Sequence, residues 1–234
     1  MGDMTDGAAE PEKTTSAGAQ AAAALLLVGG LAVGLWALGD AVGDTSDEGK
    51  PAVCSSSSSA PPRAQRVSGA QLCEALNRPD LPTLLGTPAE RARSANGNES
   101  SFTLAGGTKI TTPEGSVDLD TYSVKLSASY DDIPVARMGT LLGHNAEKKT
   151  LLGHPAVLYS DRTIELSFNL GGKKASSAPG GIARCLMVAP SAKDGGGSLE
   201  IVIWRQDNVT PDDAALLRVA ERVLPTVPGW NSAG

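Results

Sequence analysis

The sequence is poor in the side chains that most often carry chemistry. Its 234 residues include two histidines and three cysteines, and aromatic residues make up 3% of the chain. No run of lysine and arginine forms a basic stripe and the formal net charge is -6, so nucleic-acid binding has no electrostatic basis. No GxSxG, SxxK, GxxxxGK or GxGxxG motif occurs. We therefore predict no catalytic, cofactor-binding or metal-binding residues, and no cofactor.

Ionisable side chains are missing from residue 14 to residue 39. The centre of this segment, residues 21–38, reads AAAALLLVGGLAVGLWAL. As a helix it would rise about 27 Å, close to the thickness of a hydrocarbon core. Its glycines are common in membrane spans, and Trp36 falls where an amphipathic ring favours the lipid–water boundary. The pattern predicts a transmembrane helix over residues 21–39, with the lipid bilayer as its partner.

Two other interpretations of this segment compete with the transmembrane helix. A cleaved signal peptide fits the small-x-small site at residues 37–39, but the preceding 20 residues carry one lysine and four acidic residues, whereas a secretory signal begins with positive charge. A lipoprotein is disfavoured because Val53, before Cys54, is not the small residue expected there. Lys13 and Lys50 flank the segment on either side, so charge does not decide its orientation.

The composition divides the chain into four parts. Residues 1–20 are polar and acidic, which predicts a disordered N-terminal tail before the apolar helix of residues 21–39. Residues 40–67 contain five consecutive serines and a Pro-Pro pair, a composition typical of a flexible linker. Residues 68–230 are long enough to bury a core, and we predict one extracytoplasmic domain there.

Local patterns predict the elements of that domain. Ser68 and Gln71 have the spacing of a capping box at the start of a helix. Apolar and polar residues alternate over 122–130, and LEIVIWR at 199–205 is apolar on both faces, as in a central strand. Thr210 is placed to cap a C-terminal helix. The expected fold class is α+β, an antiparallel sheet sandwich with an N-terminal and a C-terminal helix.

The cysteines suggest a compartment. Cys73 falls on the predicted first helix and Cys185 in a predicted strand, and both have apolar neighbours, so we predict a Cys73–Cys185 disulfide. Such a bond needs an oxidising environment, which places the domain outside the cytoplasm and the N-terminus inside. Cys54, in the linker, is then unpaired. Two buried free thiols in a cytosolic domain remain the alternative.

Both histidines follow a repeated tetrapeptide. TLLG occurs at 83–86, 140–143 and 150–153, and His144 and His154 come directly after the second and third copies. Two apolar residues followed by glycine are typical of a helix end, with the glycine at positive φ. The spacing of the histidines matches no zinc motif and no nucleophile pattern. We therefore interpret them as residues that follow turns.

Four stretches carry a resemblance to a known group of proteins. They are LCEALNRPDLPTLLGTP, LGHPAVLYSD, GGIARCLMVAP and VIWRQDNVTPDDAALLRVAERVLPTVPGW. Across about residues 70–230 the chain resembles an uncharacterised family of actinobacterial single-span membrane proteins. Its layout is also similar to small α/β-sandwich envelope lipoproteins, although it lacks a lipobox. The resemblance implies a location and a fold, and no activity or site residue.

Two functional classes follow from these observations. The first is a non-catalytic envelope domain that binds a protein, glycan or lipid outside the membrane, and the missing catalytic motifs favour it. The second is an extracytoplasmic hydrolase whose catalytic residues are scattered along the sequence. A transmembrane signalling role is less favoured, because a tail of 20 residues offers little to transmit a signal to.

Overall fold

The computed structural model describes residues 50–56, 66–103, 109–131, 133–143, 146–169 and 174–231. The helices in these ranges are α1 (Gly69–Leu76), α2 (Leu81–Leu85), α3 (Val135–Leu141), α4 (Asp213–Val223) and a 3₁₀ helix (Leu224–Thr226). The strands are β1 (Ser55–Ser56), β2 (Ser94–Thr103), β3 (Lys109–Asp118), β4 (Tyr122–Ser129), β5 (Ala146–Leu151), β6 (His154–Asn169), β7 (Lys174–Val188) and β8 (Ser198–Arg205).

The eight strands form one sheet in the order β1-β2-β3-β4-β8-β7-β6-β5. β1 runs parallel to β2, and the other neighbours are antiparallel, so the sheet is mixed. The predicted α+β class is confirmed, and the predicted sandwich of sheets is wrong. The apolar rows of the strands are covered by helices rather than by a second sheet. β8 is central, as its two-sided apolar pattern predicted.

The main core lies between the sheet and α1, α2 and α4, on what we call the inner face of the sheet. Val124, Leu126, Ile201 and Ile203 alternate along β4 and β8 and are fully buried there. On the opposite, outer face, α3 packs on β5 and β6 in a smaller cluster built around Val157. Successive side chains of a strand point to opposite faces of the sheet, and each face is covered by different helices.

α1 approaches the sheet closely because glycines lie beneath it. Gly97 and Gly115 are cross-strand partners on β2 and β3. A Cβ atom on Gly115 would lie 2.3 Å from the backbone nitrogen of Cys73 on α1. The predicted capping box starts this helix: Ser68 accepts from Gln71 N at 3.2 Å, and the Gln71 side chain accepts from Ser68 N at 2.9 Å.

Gly115→Ala is expected to lower the free energy of unfolding by about 1–3 kcal/mol, the usual range for overpacking. The added methyl group meets helix backbone, which cannot move aside as a flexible side chain can. Gly195→Ala is the matched control, since a Cβ atom at Gly195 has no neighbour within 4 Å. Urea unfolding of both variants checks this, and equal stability of the two would contradict the close approach of α1.

α4 begins two residues later than the sequence predicted. Asp212, not Thr210, is the N-cap, and its carboxylate accepts from Ala214 N at 3.1 Å. The next residue, Asp213, receives a two-point ion pair from Arg184 on β7, with one contact of 2.8 Å. This pair fixes the start of the helix against the sheet, a long-range contact that local capping rules cannot see.

Part of the predicted linker packs against the domain. Ala52 N donates to Ala92 O at 2.9 Å, and the Asn77 side chain donates to Ala52 O at 2.8 Å. Ser55 and Ser56 then pair in parallel with the start of β2. The segment therefore covers one edge of the sheet.

The disulfide joins Cys54 to Cys73, with the Cα atoms 6.1 Å apart. The predicted Cys73–Cys185 pairing is wrong, since Cys185 is a buried free thiol. The physical reason is the sheet itself. Cys73 lies on the buried side of α1 in the inner core, whereas Cys185 belongs to a cluster on the outer face with Val202. The sheet separates the two sulfur atoms, and Cys54 reaches α1 along the edge of β2.

The predicted transmembrane helix of residues 21–39 lies outside the described residues. Within the described ranges, no helix has both the length and the apolar character needed to cross a bilayer.

Candidate functional site

The outer face carries a group of polar and ionisable side chains at the middle of the sheet. We call it the polar cluster, and its members are Glu114, Lys125, Tyr159, Cys185 and Glu200. Strand register brings them together, because Lys125, Cys185 and Tyr159 lie in one cross-strand row, and Glu114 and Glu200 lie in the neighbouring row on either side of β4. Outward-facing positions from β3, β4, β6, β7 and β8 thus converge on one site.

Sequence reasoning missed this cluster for a simple reason. In SVKLS, Lys125 stands between two apolar core residues, so the alternation predicted that its side chain faces solvent. The structure instead buries it, together with the neighbouring Ser123 and Ser127 on the same face. An alternating strand is amphipathic whether its polar side meets water or other buried polar groups. No local signal in the sequence separates these two cases.

Lys125 and Glu114 form a buried ion pair. The Lys125 Nζ atom lies 3.5 Å from Glu114 Oε2, and the two side chains are 7% and 9% exposed. Removing two charges from water costs several kcal/mol per ion, which their mutual attraction offsets only while both are present. The stability of the fold at the outer face therefore depends on both charges of this pair being present.

The rest of the polar cluster consists of three weakly acidic side chains, Tyr159, Cys185 and Glu200. The Tyr159 hydroxyl donates to Glu200 Oε1. Burial, followed by the nearby Glu200 charge, raises the pKa of both the Tyr159 hydroxyl and the Cys185 thiol well above their usual values. Burial also raises the pKa of Glu200, an effect that the Tyr159 hydrogen bond and Lys125 partly oppose. Because a thiolate is the reactive form of cysteine, Cys185 is held in its unreactive state.

Glu200→Gln is expected to flatten the dependence of stability on pH. A raised folded-state pKa means that the contribution of Glu200 is fully present below its ordinary value of 4.5 and is lost as pH rises through the folded pKa. Glutamine does not titrate, so the stability of the variant relative to the parent should improve between pH 4 and pH 8. Glu221→Gln, on the exposed side of α4, is the control. Urea unfolding at both pH values measures the difference, and a relative stability that falls with pH would contradict the assignment.

The charged and polar side chains of the polar cluster pair with one another. Two carboxylates and one ammonium share the site, with Lys125 on Glu114 and Tyr159 on Glu200. In the described part of the chain, no group of three or more histidine, cysteine, aspartate or glutamate side chains is placed to hold a metal ion. What the arrangement can do chemically is hold charge and protons at a fixed place in the sheet, since each strong donor faces a partner.

His154 follows a turn, as predicted, and its ring is also fully buried. Leu152 and Gly153 form the β5–β6 turn at φ 50° and 81°, and His154 begins β6. The ring is 0% exposed and stacks on Trp230 at a centroid distance of 4.0 Å. Nδ1 donates to Ala189 O at 2.9 Å, and Nε2 has no partner among the described residues.

His144 lies outside the described residues. The first and second TLLG copies end helices as predicted, with Gly86 and Gly143 at positive φ after α2 and α3.

The chain is thus an α+β protein built on one mixed sheet, with helices on both faces and a polar cluster on the outer one. It belongs to DUF6215, a family of unknown function, whose model matches residues 12–145. The match includes the apolar residues 21–38 and ends just before β5. No curated protein and no solved structure matches the chain.

Proposed function

We propose that this protein is a single-span membrane protein whose folded domain lies outside the cytoplasm and binds a partner in the cell envelope. Residues 21–39 cross the bilayer, and the chain from residue 50 onward forms or joins the domain. The domain acts by binding rather than by catalysis.

The observation that carries this proposal is the disulfide between Cys54 and Cys73. Disulfides persist in oxidising compartments and are rare in the cytosol. One cysteine lies between the apolar segment and the domain, and the other lies in the first helix of the core. A bond at this place ties the membrane-proximal chain to the domain, which is useful where the two must stay together outside the cell.

The apolar segment supports the anchor. Its 18 uncharged residues lie within the stretch that the family model matches.

The pairing of charges favours binding over catalysis. Catalytic acids and nucleophiles need a group that is free to meet a substrate. Several ionisable groups with shifted pKa values are paired with one another: the Tyr159 hydroxyl donates to Glu200, and the Arg205 guanidinium pairs with Asp207 at 2.5 Å, which lowers the pKa of that carboxyl to about 2. The pair at Arg205 lies just where β8 ends, so it fixes a strand end.

A non-reducing peptide map of the full chain tests the proposal. Thiols are blocked at lysis in membranes of the native host, and trypsin then cuts after Arg66, between Cys54 and Cys73. We expect the two flanking peptides to remain linked, and Cys185 to react only after denaturation, because it is buried. The same sample reduced before blocking is the control.

Free Cys54 and Cys73 thiols in that map would sink the extracytoplasmic assignment. A second measurement addresses topology alone: protease added outside intact spheroplasts should degrade the domain, and a protected domain would reverse the orientation.

A further inference from the structure

β5 is one edge of the sheet, and the two edges differ in how they are covered. At the other edge, β1 lies along β2 and the Cys54–Cys73 disulfide holds it there. β5 pairs only with β6 among the described strands. The side chains of residues 147–150 are all exposed. An edge strand with open backbone groups is a template for another strand.

The register of β5 shows which backbone groups point outward. Thr150 lies opposite Pro155 on β6. Pro155 has no N–H, and its carbonyl accepts from Ala189 N at 2.9 Å, on the side away from β5. Thr150 therefore directs its own N–H and C=O away from β6. Because the pairs of an antiparallel ladder alternate, Lys148 and Ala146 do the same.

These outward groups are arranged so that the strand matches itself. If a second β5 pairs antiparallel about a two-fold axis at Lys148, the outward groups of Ala146 face those of Thr150 from the second copy. The same register places Glu147 directly opposite Lys149 of the second copy, twice. Within one strand, Lys149 Nζ already lies 2.8 Å from Glu147 Oε2. Pairing would therefore form a group of four charges with alternating sign, which stabilises cross-strand contact.

We propose that two copies of this chain associate through β5, joining their sheets edge to edge about a two-fold axis that passes at Lys148. The inference goes beyond the proposed function and does not depend on the compartment. α3 packs on β5, and its Leu141 is 41% exposed, so pairing also brings an exposed apolar side chain near the interface. The two Lys148 side chains oppose each other on the outer face, and their repulsion limits the strength of the contact.

Lysines on an edge strand have a second known use, which is to prevent pairing. The two roles make opposite predictions at Lys148 and at the flanking positions. If the charges only protect the edge, no register is preferred. If the strand pairs with itself, contact is confined to one register, and single cysteines can detect it.

Lys148→Cys in the full chain, held in membranes of its expression host, is the test. At the two-fold axis the Cα atoms of a hydrogen-bonded antiparallel pair lie about 5.5 Å apart, within the range of a disulfide. A mild oxidant should therefore give a cross-linked dimer. Thr150→Cys is the matched control on the same strand, because its two copies lie four residues apart, about 13 Å. Lys193→Cys, exposed on the loop between β7 and β8, reports random collision.

Thr150→Pro added to Lys148→Cys should reduce the cross-linked dimer to the level of Lys193→Cys. Proline removes an outward N–H and leaves the bonds to β6 intact, so the domain should still fold. Glu147→Lys, which keeps the backbone, is the second variant: it should weaken dimer formation, and adding Lys149→Glu should restore it by reversing both charges.

A dimer from Lys148→Cys that is lost with Thr150→Pro and recovered by the charge swap supports the proposal. Equal cross-linking of the three single-cysteine variants, or none at residue 148, overturns it. Neither result bears on the Cys54–Cys73 peptide map, so failure of the pairing and failure of the extracytoplasmic assignment can be told apart.

Discussion

Lys125→Met is expected to lower the free energy of unfolding by about 3–5 kcal/mol, the range found when one member of a buried ion pair is removed. The substitution keeps most of the volume of the side chain but takes away the only ammonium group of the polar cluster. Glu114 would then be left 9% exposed without its partner, beside Glu200 on the same face. Urea unfolding of the purified full chain at neutral pH measures the loss.

A double-mutant cycle separates charge from packing. Glu114→Gln alone should cost less than Lys125→Met, and the double variant should be more stable than the sum of the two losses predicts. Lys193→Met, on an exposed loop, is the control and should change stability by less than about 0.5 kcal/mol. If adding Glu114→Gln does not reduce the loss of unfolding free energy caused by Lys125→Met, then packing rather than ion pairing sets that loss.

Loss of the disulfide is the second large effect. Cys54→Ser should destabilise the domain by about 3 kcal/mol, since the bond closes a loop with a sequence separation of 19 and constrains the unfolded chain. The loss should concentrate at β1, which contributes only two residues to the pairing with β2. Hydrogen exchange should therefore increase first at the covered edge of the sheet.

Reductant provides the control for that experiment. Reducing the parent should reproduce the loss caused by Cys54→Ser, and adding reductant to the variant should change nothing further. Cys185→Ala should leave the effect of the reductant unchanged, because this thiol is not part of the bond. Destabilisation of Cys54→Ser by reductant would mean that another disulfide forms in the absence of the first.

Local signals predicted local structure well. The Ser68–Gln71 capping box, the glycines after α2 and α3, and the existence of strand β4 each depend on a few neighbouring residues, and all are present. The central place of β8 also followed from its composition, because a strand with apolar residues on both sides needs cover on both faces.

The features that the sequence did not reveal are long-range. The pairing of Cys73 depends on which face of the sheet each cysteine occupies, and a face can be assigned only when the register is known. The polar cluster is missed for the same reason, since five strands contribute to it. The start of α4 lies at Asp212 rather than Thr210, and Arg184, a residue distant in sequence, pairs with Asp213 there. Each of these features depends on contacts between residues far apart in the sequence.

The disulfide also sets how this chain bears mechanical load. A pull on the chain before Cys54 passes through the sulfur atoms directly into α1, so the residues between Cys54 and Cys73 carry no tension while the bond is intact. Reduction would remove this direct path, and load would then reach the core along the chain that leads to Val67 and the start of α1. The bond therefore fixes where load on the chain before Cys54 enters the domain, and a change in redox state would move that point.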